Sequence, residues 1–198
     1  TYNITYCTTG MYQNALATAG IEDAEIVVAG PYNISGTAAL VGAIKSYENM
    51  TGETVSQENV DTATNELVVT GKLAESVGDS DKAEQLVGAV KEQVVEGSDN
   101  GKKLTEEEIG NVVDQAAQEM DVQLSDEDRQ EIVALMDKIK GLDIDVDSLK
   151  EQAKDLYDKI DDLGLKLDWN QEKVQGFFSK IIEFFKNLFL SLIHISEP

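Results

Sequence analysis

From Ser35 onward, apolar residues recur with the period of an α-helix almost without interruption, and this confines the chain to a mostly helical fold. Leu40, Ile44 and Tyr47 mark one stripe; Val60, Ala63, Leu67 and Ala74 mark a second; Ala83, Leu86, Val87, Val90 and Val94 mark a third. Gly71, on the second stripe, is either a point of close helix approach or a tolerated weak spot. Residues 97–101, Gly-Ser-Asp-Asn-Gly, are short, polar and flanked by glycine, which predicts a boundary. Beyond it the helix starts announce themselves, because Thr105 with Glu108, Ser125 with Asp128 and Ser148 with Glu151 all have capping-box spacing. Ile109, Val112, Val113, Ala116 and Met120 line the first of these helices. Ile132, Leu135, Met136 and Ile139 line the second, and Leu149, Ala153, Leu156, Ile160 and Leu163 the third. The short connections predict antiparallel neighbours in a bundle.

The first fifty residues follow another rhythm. Ile4-Thr5-Tyr6-Cys7 is β-branched and aromatic, and Thr8 or Thr9 after it can cap a helix. That helix runs through Met11, Ala15 and Leu16 to a left-handed stop at Gly20-Ile21. Residues 24–29 form an apolar run bounded by Gly30-Pro31 and read as a second strand. The expected fold is therefore α+β and predominantly helical: a small βαβ-type unit with an incomplete sheet, then an antiparallel helical bundle. The divisions expected are 1–52 for the α/β unit, 53–96 for a helical pair packed on it, 102–169 for the bundle and 170–190 for a Phe-rich amphipathic helix.

Charge excludes one broad class of function. Acidic residues number 38 against 16 basic ones, the net charge is −22 and Arg129 is the only arginine, so no Lys/Arg cluster is available to displace counterions from nucleic acid. The excess is concentrated in the middle, with −8 in each of residues 51–100 and 101–150, which reads as solvated helix faces. A chain of 198 residues can bury about 70% of its unfolded surface, so it needs no staples. The lone Cys7 excludes an internal disulfide or Cys-rich zinc site and reads as a small buried hydrophobe.

Three stretches are candidate sites. Residues 30–37 leave a strand and open a helix, so backbone N–H groups at Ser35, Gly36 and Thr37 would suit an anion, although the Gly-Lys pair of a phosphate loop is missing. A simple cap by Ser35 or Thr37 is the default alternative. Residues 143–148, Asp-Ile-Asp-Val-Asp-Ser, imitate the first half of a calcium loop. The sixth position, however, is Ser148 where Gly is needed, and the twelfth is Lys154 where a bidentate Glu belongs. All five phenylalanines fall between Phe177 and Phe189. There Phe177, Phe178, Ile181, Phe184, Phe185 and Leu188 offer a wide apolar face for packing, for docking on a protein partner or for lying on a membrane surface. No nucleophile–base pair, metal set or cofactor motif assembles from these elements, so no catalytic residue, metal or cofactor is assigned.

Residues 11–20, the Ser35-Gly36-Thr37-Ala38-Ala39-Leu40 stretch, Asn65 to Gly71, and Leu142 to Asp147 through Asp155-Leu156-Tyr157 resemble the YpuA-like domain of unknown function 1002 proteins of Gram-positive bacteria. The resemblance spans most of residues 1–190. It implies an exported, extracytoplasmic protein of the cell envelope, and supplies no catalytic residues. Family members carry a secretion signal and N-terminal sheet region, so a start at Thr1 reads as a truncation. The end, residues 191–198, reads as a non-native adapter-like tail, which would leave the native part without histidine, since His194 is the only one. The expected function is a non-enzymatic binding module; the rivals are an enzyme or anion receptor at residues 30–37, and membrane attachment through residues 171–190.

Overall fold

A computed structural model describes residues 1–21, 24–99, 104–142 and 144. Residues Thr1–Leu156 form one compact unit and Tyr157–Pro198 a second; all of the described residues lie in the first. The elements are β1 (Tyr2–Ile4), α1 (Thr9–Thr18), β2 (Ala29–Ile34), α2 (Thr37–Thr51), α3 (Gln57–Val77), α4 (Ser80–Asp99), α5 (Glu106–Glu119) and α6 (Asp126–Ile139). The fold class is α+β and predominantly helical, with one small two-stranded parallel sheet joined through α1.

The sheet differs in detail from expectation. The second strand occupies Ala29–Ile34, not residues 24–29, and the first occupies Tyr2–Ile4. Hydrogen bonding decides the matter against composition: Tyr2 N–H donates to the Val28 carbonyl, Thr5 N–H to that of Ile34 and Cys7 N–H to that of Ser35. The apolar run stops short of the ladder, and Val27 is 69% exposed. Tyr2 pairs with Ala29 and Ile4 with Ile34, so β2 advances five residues while β1 advances two. Asn3 spans this irregularity with φ 56° and donates Nδ2 to the Gly30 carbonyl at 2.8 Å. Pro31 is tolerated within β2 because a two-stranded sheet leaves each strand one unpaired edge, where a missing N–H costs nothing.

Helix α1 begins with Thr8, whose Oγ1 accepts from Met11 N–H at 3.0 Å. It ends as expected: Gly20 has φ 74°, its N–H donates to Ala17, and the Ile21 N–H donates to Leu16, with Ile21 buried beyond the stop. Helix α3 is the hub of the packing, with α1, α2, α4 and α6 laid against it and α5 packed on α4 and α6. The apolar stripes meet there. Leu67, Leu86, Val87, Val90, Ile109, Val113, Ile132, Met136 and Ile139 are all fully buried. Gly71 makes room for a side chain and not for a neighbouring helix, because a Cβ at that position would collide with the Tyr6 ring, which lies on α3. Helix α4 runs through Gly97 and Ser98 to Asp99, past the expected break. Both predicted capping boxes within the described residues, Thr105/Glu108 and Ser125/Asp128, are present in full.

Candidate functional site

Helix α4 buries far more than its apolar stripe. Glu84, Gln85, Lys91, Glu92 and Gln93 are each no more than 6% exposed. Spacing of seven residues places Glu84 and Lys91 on one face, where α1 packs against α4. Opposite Lys91, α3 brings in Glu66, which lies on the same stripe as Ala63 and Thr70.

Lys91 Nζ donates to Glu66 Oε1 at 2.8 Å, to the Asn14 carbonyl at 2.7 Å and to Thr18 Oγ1 at 3.1 Å. An ammonium has three protons, and all three are used. Thr18 Oγ1 in turn donates to Glu66 Oε2, so both carboxylate oxygens have donors. Thr70 donates to the backbone carbonyl of Glu66 at 2.8 Å, fixing the carboxylate's own turn. The cluster joins α1, α3 and α4, with the Lys91 and Glu66 side chains 2% and 1% exposed. All three ammonium protons and both carboxylate oxygens are engaged within it, so it locks the helices together.

Seven residues before Lys91, Glu84 has no such partner. Its carboxyl accepts from Thr8 Oγ1, the N-cap of α1, and lies on Gly10: a Cβ there would be 2.5 Å from Glu84 Cδ. Asn14 Nδ2 donates to the Glu84 backbone carbonyl at 3.0 Å. Burial pushes the Glu84 carboxyl up to about 7, Asp81 and Asp79 add to the rise, and Thr8 and the Met11 N–H oppose it. Gln85, Glu92 and Gln93 complete the buried polar set on α4; among the described residues the Nε2 atoms of Gln85 and Gln93 have no acceptor.

Neither the polar face of α4 nor Glu66 emerges from the sequence reading, which assigned charged positions to solvated faces. A signal existed. Glu66 shares its stripe with apolar Ala63, and α4 carries buried-type residues on so many faces that its polar ones had nowhere exposed to go.

The residues expected to bind an anion or to cap a helix lie at the start of α2. Gly36, with φ 93°, is the N-cap of α2, and no side chain caps that helix, so neither Ser35 nor Thr37 fills the role. A Cβ at Gly36 would collide with the Tyr12 hydroxyl and lie 2.5 Å from Ile4 Cγ2; the Tyr12 hydroxyl donates to the Gly36 carbonyl at 2.6 Å. This contact needs a left-handed residue without a side chain, which displaces the cap. Ser35 is exposed, Gly36 buried and Thr37 half-buried, and the two hydroxyl oxygens are 3.5 Å apart. Cys7 is buried beneath Tyr12, and desolvation pushes its thiol up, away from a reactive thiolate. The Phe177 to Leu188 face, the third bundle helix and the Asp-rich segment at 143–148, Ile144 apart, lie outside the described residues. Among the described residues no three His, Cys, Asp or Glu side chains are grouped to hold a metal, and no helix is long and apolar enough to cross a membrane.

Residues 1–156 match the family described as "Protein of unknown function (DUF1002)". The chain belongs to the DUF1002 family. The matched stretch coincides with the first compact unit, so the Glu66–Lys91 lock and Glu84 both lie inside the DUF1002 region. The "Uncharacterized protein YpuA" of Bacillus subtilis (strain 168) is 34% identical over 198 residues, covering 98% of this chain. The chain spans 64% of that relative's length. No solved structure matches this DUF1002 chain.

Proposed function

We propose that this protein is a non-enzymatic binding module of the bacterial cell envelope, outside the cytoplasmic membrane, which holds a protein partner through the Phe-rich face of residues 170–190. One observation carries the non-enzymatic part. The most chemically capable constellation among the described residues, Lys91 with Glu66 and Thr18, is spent entirely on itself. Buried lysine and carboxylate built for catalysis keep a valence pointing at a cavity; these point at each other. The resemblance to exported proteins supports the location, and the net charge of −22 argues against nucleic acid as the partner.

The test uses the full-length gene product in its own bacterium, with a photo-cross-linking residue at Phe178 or Phe185. A discrete envelope protein captured at these positions, and not from exposed Met50, is the expected result. Recovery in the cytoplasm, or turnover of a substrate lost in a folded Lys91→Met variant, overturns the reading. Flotation of the protein with liposomes, abolished by deleting residues 171–190, moves the assignment to the membrane surface. The anion-receptor reading has one observation in its favour, the first turn of α2 without a side-chain cap. Phosphate, sulfate or a carboxylate raising the melting temperature of the full-length protein would establish it.

A further inference from the structure

Two buried carboxylates serve the α1–α4 contact, and only one has a cation. Glu66 is closed on Lys91, whereas Glu84, 4% exposed, has a neutral hydroxyl as its side-chain partner; among the described residues no cation lies within ion-pair distance of it. An unpaired anion at such a site is expensive to bury, whereas the neutral acid is not.

We propose that Glu84 is a proton-operated latch, fastening the N-terminal half of α1 to α4 as the neutral acid and releasing it on ionisation. The geometry makes the contact specific. The carboxyl rests on the bare backbone of Gly10 and holds Thr8, the residue that caps α1, so what happens to Glu84 is felt at the first turn of that helix. The other half of α1 is held independently, by Lys91 on the Asn14 carbonyl and Thr18 hydroxyl. Opening therefore frees the first turn of α1 from α4, while β1 stays paired with β2 and the Thr18 end stays docked.

The surrounding charges set the direction. From α4 and the turn before it, Asp81 and Asp79 face Glu84 and favour the proton. Helix α1 contributes Thr8, the Met11 N–H and Asn14, its one titratable side chain, Tyr12, being turned to the Gly36 carbonyl. Helix α3 presents Glu66, neutralised by Lys91; no charged group of α5 or α6 bears on Glu84. With the folded carboxyl at about 7 against an ordinary 4.5, the native state holds the proton more tightly than the unfolded chain. The stabilisation is complete below about pH 4.5 and is lost as pH rises through about 7.

The experiment follows the melting temperature of the full chain between about pH 5 and about pH 8.5, together with amide hydrogen exchange in α1 and α6. All variants share a background slope from the −22 charge, so Glu84→Gln, which mimics the neutral acid, supplies the reference. Expected is a gap between Glu84→Gln and wild type that opens as pH rises through neutrality, with exchange in residues 11–15 quickening while α6 stays protected. Thr8→Ala, which removes a group favouring the anion, moves the transition to higher pH, and Asp81→Asn moves it lower. Parallel curves for wild type and Glu84→Gln overturn the proposal, as does exchange quickening equally in α6. Should Glu84→Gln fail to fold, opposite movement of the Thr8 and Asp81 variants supports it and no movement in either overturns it.

Discussion

Lys91 illustrates how much a single side chain can determine here. It is fully used, with three donors in three bonds, two to successive turns of α1 and one to α3. Replacing it by Met removes the cation and leaves Glu66 buried without it. We expect a loss of about 3–5 kcal/mol in urea unfolding. Replacing both Glu66 and Lys91 by Met removes the charge pair together, and the double variant is expected to recover most of that loss. A double variant as unstable as the single one would show that the bonds to Asn14 and Thr18, and not the ion pair, carry the lock.

At the scale of the element, helix starts divide into those built by side chains and one that is not. Thr105 N–H donates to Glu108 Oε2 at 2.8 Å, while Thr105 Oγ1 accepts from Glu108 N–H at 3.2 Å. Thr105→Ala should cost about 1 kcal/mol of stability, read as a shift in the urea midpoint. Ser35→Ala, at the start of α2, should leave the midpoint within about 0.5 kcal/mol of wild type, since no side chain caps there. The contrast also marks what the sequence could disclose. Capping boxes, the Gly20-Ile21 stop and the apolar stripes are local patterns with a fixed period, so α1, α5, α6 and their core faces were legible. The second strand was misplaced because its ladder depends on β1, some 25 residues away, while the Ile26-Val27-Val28 run looks like a strand on composition alone. Glu66 and Glu84 were missed for the same kind of reason. Whether a carboxylate on a helix faces water or a lysine is decided by a neighbour that local periodicity does not contain.

For the whole molecule, long-range charge repulsion is the dominant electrostatic fact. Ion pairs such as Lys72 with Glu131, 2.5 Å apart and largely in solvent, join α3 to α6 but contribute little each. Raising salt from about 0.05 to about 0.5 M should therefore raise the melting temperature, because it screens the repulsion of −22 more than it weakens these pairs. A fall with salt would mean that the surface pairs outweigh the repulsion. The lock around Lys91 has a further consequence, one of timing. Thr18 lies 73 positions before its partner Lys91 in the chain, and Asn14 77 positions before it. As a nascent chain leaves the ribosome, α1 can pack on α3 as soon as that helix is made, but the bonds to Lys91 cannot form until α4 has been translated. Closure of the lock therefore reports that the central helices have arrived.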